Sequence, residues 1–596
     1  MSQSTYQSLL AQYTNKANTL NRQLRWLSFV RLVLFAGFIF LGYKAMRTGN
    51  HALTAASLAS FLAFFIVLRF YDRLQQQVAF YKALVRINGN EIAWLSGEGE
   101  KISPITGSEH IDPHHPYSYD LDIFGSGGLL PYLNRTSTAF GQQALARALL
   151  QPDKNRISDR QEAVKELAPE LEFRQHLQAH GLIQETKEKE LQQLKAWVSS
   201  PPVFPNKAFY YFLMIFPLAT LSALVYYFFS EEGKALNLFL ILFTLNLAIA
   251  FSFSRKIAAH LSVSTSVNKV LQQFASQLKL LESHSFSAGL LKQIQAELQA
   301  GGAPAWRSIA RLASLFNYLE TVINLLVSVL LNGFFLFHIH ILFALEKWKQ
   351  QHGHRVMHWL HLLGEAEALA SLGNLSYNNP LFCFPQLRET PSLAAVDMGH
   401  PLIRPGKRIA NSISFDEHPF VILTGSNMSG KSTFLRTLGI NLVLANAGSA
   451  VCATQFHFYP FEVQVSMRIS DSLQDSESFF YAELKRLQHI IRELEAGKQV
   501  FVILDEILRG TNSNDKHSGT IGLIRNLVAA RACGIIATHD LTVSRLAGAY
   551  PAQISNKCFE SQIVQDELLF NYRLEEGVCT TLSASFLMKK MGIIRE

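Results

Sequence analysis

Cysteine is scarce: five in 596 residues, at Cys383, Cys452, Cys533, Cys558 and Cys579, and no two form a C-x-x-C pair. An odd, unpatterned set excludes a disulfide framework and a thiolate zinc site, and reads as reduced thiols in a cytosolic domain. Charge is thin as well, at 17% of residues, with no dense block of Lys or Arg. The formal net charge of +8 suits nucleic acid and an anionic bilayer surface equally, so it selects neither. The N-terminal stretch is polar up to about Arg25 and lacks a small-residue cleavage site, so no removed signal peptide is expected.

What the chain has in abundance is apolar length. Hydrophobic residues make up 48%, and two pairs of runs stand out. The first pair is 27–43, interrupted by Arg31, and 52–68; the second is 209–229 and 235–253, neither run holding a charge. Each approaches the ~20 residues a spanning helix needs. Two transmembrane hairpins are therefore expected, the competing reading being a pair of buried core hairpins. Lys16, Arg22 and Arg25 precede the first pair, and Arg69, Arg73 and Lys82 follow it. Lys207 precedes the second, and Arg255 and Lys256 follow it. Positive flanks place both hairpins as excursions from the cytoplasmic side, which puts the protein in the cytoplasmic membrane with its bulk in the cytoplasm. A fifth apolar stretch, 322–343, contains Asn332, His338 and His340. A single extra span there would strand the C-terminal part of the chain outside the cell, so a buried helix is expected instead. Segments 136–198 and 257–372 read as long helices with few Gly or Pro breaks.

From about Ala395 the texture changes. The runs FVILTG (420–425), VFVILDE (500–506) and GIIATHD (534–540) alternate with helical stretches, the pattern of a parallel sheet covered by helices. The first run leads into TGSNMSGKST (424–433). Gly425, Ser426, Asn427, Met428, Ser429, Gly430, Lys431, Ser432 and Thr433 form a glycine-bearing loop opening a helix, where backbone N–H groups cradle phosphates. Lys431 would reach the β- and γ-phosphates, and the Ser432 hydroxyl would ligate Mg2+. Asp505, at the end of the second run, would hold the same Mg2+, with Glu506 orienting or deprotonating the attacking water. His539, ending the third, could sense the γ-phosphate. In this order the three runs describe an ATPase domain using ATP and Mg2+.

The stretches TGSNMSGKSTFLRTLG, DSLQDSESFFYAELKRL, LDEILRGTNSNDKHSGT and ATHDL together resemble the ATPase domain of the MutS family of mismatch-repair proteins. The family's loop carries Pro where Ser426 stands and Gly where Ser429 stands, and its strand motif has Gly in place of Leu508. FNYRLEEGVCTTLSASFLMKKMGI (570–593) is similar to the family's closing segment. LNRTSTAFGQQALARALLQPDKNRISDRQEAV (133–164) resembles the start of its helical core domain, and GEAEALASLG (364–373) that domain's last helix. The resemblance implies phosphate and Mg2+ roles for Lys431, Ser432 and Asp505, water activation by Glu506 and a switch role for His539. It also implies that Ser478 approaches the γ-phosphate bound by the opposite subunit, hence a homodimer with composite sites, and DNA as a partner. No Phe-x-Glu wedge in a suitable domain and no clamp are found; the apolar pairs stand in their places.

The expected fold is mixed: transmembrane hairpins, an all-α core or lever domain, and a C-terminal α/β P-loop ATPase domain of ABC-like type. Its parts are an N-terminal region (1–85), a linker (86–120), a helical domain (121–395) interrupted by the second hairpin, and the ATPase domain (396–596). The favoured function is a membrane-anchored ATPase coupled to DNA binding. The alternative is a genuine mismatched-DNA-binding repair protein whose apolar runs are core helices. An ABC-type transporter would need an L-S-G-G-Q-like signature where this chain has DSESFF. Two further groups, His354/His358/His361/Glu365 on one helical face and His110/Asp112/His114/His115 in a loop, have metal-ligand types. They are read as a wet helix face and a structural loop.

Overall fold

The N-terminal apolar runs lie inside helices far longer than the runs themselves. The computed structural model describes residues 2–99, 105–184, 188–204, 207–230, 233–426, 428–468, 479–564, 567–579, 588 and 593–594. Ser2–Thr48 and His51–Ser96 form an antiparallel hairpin, turned at Gly49 and capped by the Asn50 side chain, which accepts from the Ala52 N–H. The helices approach closely where Ser57 and Ser60 donate to the Phe38 and Leu34 carbonyls at 2.9 and 2.8 Å. Ser57 is buried at the helix–helix contact, with Phe38 packed on Phe61, while Trp26, Leu32 and Leu62 are exposed. A helix of 47 residues is roughly 70 Å long, more than twice a ~30 Å hydrocarbon layer. The C-terminal part of His51–Ser96 continues into the helical body: Ala83, Leu84 and Ile87 are buried and pack with Ala179. The stretch 86–96, placed in a linker by sequence, is thus helix. Its apolar positions are interleaved with polar ones that find buried partners far along the chain.

The helical body contains Ala139–Leu150, Ile157–Leu167, Leu171–Leu182, Glu188–Val198, Ser254–Ser283, Gly289–Gln299, Ala305–Glu320 and the 42-residue Phe337–Asn378. The N-terminal part breaks more often than expected, first at Gln151-Pro152-Asp153, where proline cannot continue a helix. Between Glu188–Val198 and Ser254–Ser283 the chain makes Lys207–Leu213, Ile215–Ser230 and Gly233–Ser252. By length and composition four helices could cross a membrane, namely the N-terminal pair, Lys207–Ser230 and Gly233–Ser252; a fifth candidate is a bent pair, Ala305–Ile323 with Leu325–Phe335. The expected buried helix over 322–343 is corrected here. The chain breaks at Asn324 and Leu336, leaving Leu325–Phe335 largely exposed, and only the part from Leu336 onward enters the core.

The C-terminal part is α/β. Its strands are β1 (Gln386–Leu387), β2 (Leu393–Met398), β3 (Asn411–Ser414), β4 (Phe420–Gly425), β5 (Gln455–Phe458), β6 (Glu462–Ser466), β7 (Val500–Asp505), β8 (Cys533–Ala537), β9 (Ile554–Val564) and β10 (Glu567–Glu576). A small sheet has the order β1-β5-β2-β3, and a six-stranded one the order β10-β9-β4-β8-β7-β6. In the larger sheet β9, β4, β8, β7 and β6 run parallel, with β10 antiparallel at one edge. Every residue of β4, β7 and β8 is buried, as continuous apolar strands between helical layers require. The parallel sheet brings the ends of β4, β7 and β8 to one rim, with β8 between the other two.

Candidate functional site

β4 ends at Gly425, and the helix Lys431–Asn446 starts six residues later. Gly430 joins them at φ 105°, where a Cβ would also meet the Tyr572 ring at 3.0 Å; both facts require glycine. Ser429, where the resemblance leads one to expect glycine, is not left-handed, so its side chain brings no backbone strain. Leu508 does adopt a left-handed φ of 60°, with its side chain buried. Packing holds it in a conformation that glycine takes freely.

Lys431 folds back over the loop, its Nζ donating to the Gly425 and Ser426 carbonyls at 2.8 Å each and standing 3.5 Å from His539 Nε2. Burial lowers the Lys431 pKa, opposed by the charges of Glu506 and Asp505. Ser432 Oγ donates to Asp505 Oδ2 at 2.6 Å, joining the ends of β4 and β7. Glu506 follows with a left-handed φ of 48°, its N–H bonded to the Ala537 carbonyl of β8 at 3.0 Å. That conformation aims its carboxylate at His539, with which it forms an ion pair. The His539 hydrogen bond holds the Glu506 carboxyl down to about 2, against the upward push of burial. Arg509, which no sequence motif singled out, donates to the backbone carbonyls of both Glu506 and Asp505.

Of these groups Lys431, Ser432 and Glu506 line a cleft of about 530 Å³, together with Met398, His400, Ile409 and Tyr572. His400 is held neutral to about pH 4, by burial first and then by nearby Arg436 and Arg408. Tyr572 is the other residue missed: it lies in the FNYRLEE stretch, but only the fold brings its ring against Gly430. The hydroxyls of Ser426 and Ser429 are buried and find no hydrogen-bond partner among the described residues. A buried cation, two orphan hydroxyls and a Ser–Asp oxygen pair form a donor set suited to a polyphosphate with a hard divalent cation. Met428, at φ 69° and exposed, and Thr433, also exposed, line the same cleft. Asn427 and Ser478 lie outside the described residues.

A second cavity, of about 300 Å³, is lined by Asp505, Glu506 and Arg509 together with Pro113, Pro116 and the helix Phe479–Glu495. Its wall is pinned by the buried carboxylate of Asp120, which accepts from the Met467 and Arg468 N–H groups at 2.7 Å and from Arg486 at 2.9 Å. Of the two histidine groups, His115 Nδ1 accepts from the Tyr117 and Ser118 N–H groups. His358 pairs with Glu297 at 2.9 Å, and His361 packs edge-on against Phe140. Among the described residues no group of three His, Cys, Asp or Glu side chains is arranged to hold a metal.

Two family models match the chain: MutS domain III over residues 118–319 and MutS domain V over residues 421–591. MutS protein homolog 4 of Homo sapiens is 31% identical over 201 residues, which is 32% of this chain and 21% of that protein. DNA mismatch repair protein MutS of Thermotoga neapolitana is 32% identical over 184 residues, 30% of this chain and 22% of the relative. That of Thermotoga petrophila is 30% identical over 241 residues, 39% and 30% respectively. The matched stretch thus spans less than a third of each relative's length.

Proposed function

Because the chain belongs to the MutS family, whose domain III and domain V models together match more than half of it, we propose a membrane-anchored ATPase. It works as a homodimer with composite sites, and it couples ATP turnover to DNA binding. The observation that carries this reading is the convergence of Lys431, Ser432, Asp505, Glu506 and His539 on one rim of the sheet.

Lys431 exchanges the Gly425 and Ser426 carbonyls for oxygens of the β- and γ-phosphates, and the Ser426 and Ser429 hydroxyls gain the acceptors they lack. Mg2+, when bound, neutralises phosphate charge; Ser432 and Asp505 are the residues to hold it. Glu506, unprotonated over the physiological range, orients the attacking water and takes its proton, while His539 stands at the γ-phosphate end. Ser478 of one subunit completes the site of the other, as the family resemblance implies.

The outward apolar faces of the two hairpins support anchoring in the cytoplasmic membrane, with the ATPase part on the cytoplasmic side. The first hairpin is also joined to the cleft. Arg404 donates to the Gly97 carbonyl at 2.6 Å, and its neighbours Ile403 and Lys407 line the nucleotide cleft. A movement of that wall of the cleft would be passed through Arg404 to the base of the hairpin. DNA would be held through its phosphates, without sequence or mismatch readout.

Detergent fractionation and an ATPase assay test the reading together. The expected protein needs detergent for extraction, hydrolyses ATP with Mg2+, and binds matched and mismatched duplexes equally in an anisotropy titration. A clear preference for the mismatch would instead favour the repair protein of the alternative reading. Full solubility without detergent would remove the anchor.

A further inference from the structure

The stretch TVINLLVSVLLNGFFLFHIHI (321–341) holds no Asp, Glu, Lys or Arg. Its middle, Leu325–Phe335, is a separate helix bent by 109° from the helix before it. Asn324 makes the corner, its side chain accepting from the Val327 N–H at 3.2 Å. Eleven residues reach about 16 Å, half of a ~30 Å hydrocarbon layer. This helix cannot span.

Its polarity is inverted for a surface helix in water. The residues it buries are Asn332 and Gly333, while Ile323, Leu325 and Leu326 are 67%, 78% and 69% exposed. Polar inside and aliphatic outside is the arrangement of a segment solvated by lipid. The inner face docks on the second hairpin. A Cβ at Gly333 would lie 2.2 Å from the Phe243 ring, so glycine permits the contact. Asn246 of Gly233–Ser252 donates to the Gly333 carbonyl at 2.8 Å and to Thr220 at 3.0 Å. Phe334 packs on Phe239 and Phe243. The outward aliphatic face therefore adjoins the exposed apolar surface of that hairpin.

The return is equally telling. Leu336, at φ 49°, reverses the chain into Phe337–Asn378. Asn332 Oδ1 accepts from the His338 N–H at 3.1 Å, and His338 Nε2 meets Thr321 Oγ1 at 3.2 Å. Leu336 and His338 are fully buried. A reversal whose polar groups are satisfied and covered by protein is the kind of irregular backbone that membrane depth tolerates. Ala305–Glu320 before the segment and Phe337–Asn378 after it pack together, with Trp348 Nε1 donating to the Ser308 carbonyl at 2.8 Å. Both ends thus belong to one body on one side.

We propose that Leu325–Phe335 is a re-entrant helix that enters the bilayer beside the second hairpin and returns on the side it came from, with lipid acyl chains covering its outer face. The proposal rests on the membrane reading of that hairpin. It leaves the nucleotide cleft on the side where the chain started.

Variants that each add one cysteine, Leu326→Cys and Leu330→Cys, labelled with a polarity-sensitive fluorophore in the full-length protein, test it. The protein is reconstituted in phosphatidylcholine–phosphatidylglycerol vesicles with or without acyl-chain spin-labelled lipid. Leu240→Cys reports on the hairpin, Gln299→Cys on the water-exposed body, and the unsubstituted chain gives the background from native thiols. Quenching at 326 and 330 several-fold above that at 299, and comparable with 240, is expected. Quenching at 240 with none at 326 or 330 overturns the re-entrant helix alone and assigns its face to water or protein. No quenching at 240, 326 or 330 overturns it together with the hairpin.

Discussion

Two glutamates in this chain each carry an ion pair, and their surroundings give them opposite duties. Glu91, with a side chain only 3% exposed, faces Arg135 at 12%. It also accepts from Asn374 at 3.1 Å and Asn378 at 2.8 Å. Tyr6 reaches Asn378 at 2.8 Å and Arg174 reaches Asn374 at 2.6 Å. This cluster ties both helices of the first hairpin to the last turns of Phe337–Asn378, just before the α/β part. Burial pushes the Glu91 carboxyl up, yet the charge and hydrogen bonds of Arg135 and the two asparagines hold it below the ordinary range. Glu506 is 23% exposed, its partner His539 35%, and it sits on a left-handed backbone at the end of a strand. Arg135 keeps its proton throughout the accessible pH range and is shut away from water with its partner, whereas Glu506 and His539 both remain partly open to it. The buried pair is a fixed joint; the open pair can let go.

The comparison breaks most decisively at Glu506. Replacing Glu506 by Gln removes the base while keeping the shape, and ATP turnover is expected to fall on the order of 10²–10⁴-fold, with the melting midpoint in detergent near the parent's. An unchanged rate would refute the assigned chemistry. Glu91→Ala should do the reverse. Removing one member of a buried pair destabilises by about 3–5 kcal/mol, visible as an earlier thermal transition and as proteolysis of the released N-terminal helices. The double change Glu91→Met with Arg135→Met restores most of the loss if the penalty is that of an unpaired charge. A loss under about 1 kcal/mol for the single change would show that the joint is not there. A smaller effect is expected at Asn246→Leu in the second hairpin, roughly 1 kcal/mol, because on the proposed membrane reading such an interhelical hydrogen bond has competing partners in the unfolded state.

The two pairs also differ in how they announce themselves in sequence. Lys431, Ser432, Asp505 and Glu506 stand at the ends of continuous apolar runs, and a parallel sheet has no other place to put such ends than one rim. That much of the site was legible from strand periodicity and spacing alone. Tyr572 and Arg509 were not, since their contacts depend on β10 returning beside β9 and on the left-handed turn after Asp505. Glu91 was least legible. Its partners Arg135, Asn374 and Asn378 are 44, 283 and 287 residues away, and no local pattern encodes such a meeting, so 86–96 read as a linker. The stretch 322–343 failed for another reason. Hydropathy counts how apolar a segment is, not which way it faces, and only the fold turns Asn332 and Gly333 inward and leaves Leu325 and Leu326 exposed.

The finest distinction between the two pairs is their response to acid. Glu506 has a folded pKa of about 2 against an ordinary value of 4.5. A carboxyl lowered on folding contributes stability that is complete above about pH 4.5 and is lost as pH falls toward 2. The pair is partly open to water, so the amount is expected to be roughly 1 kcal/mol or less. It should appear as a decline in melting midpoint between pH 4.5 and pH 3 that is shallower in Glu506→Gln, since the glutamine has no proton to gain. His539→Ala should remove the same increment, because the largest cause of the lowered value is the His539 hydrogen bond. Glu91 is also lowered on folding, so its joint weakens in the same direction. Its loss, however, should come as one cooperative release of the N-terminal helices, read as a sharp gain in protease sensitivity. If both variants keep the full decline between pH 4.5 and pH 3, the acid response belongs to the joint, and the open pair contributes nothing to stability.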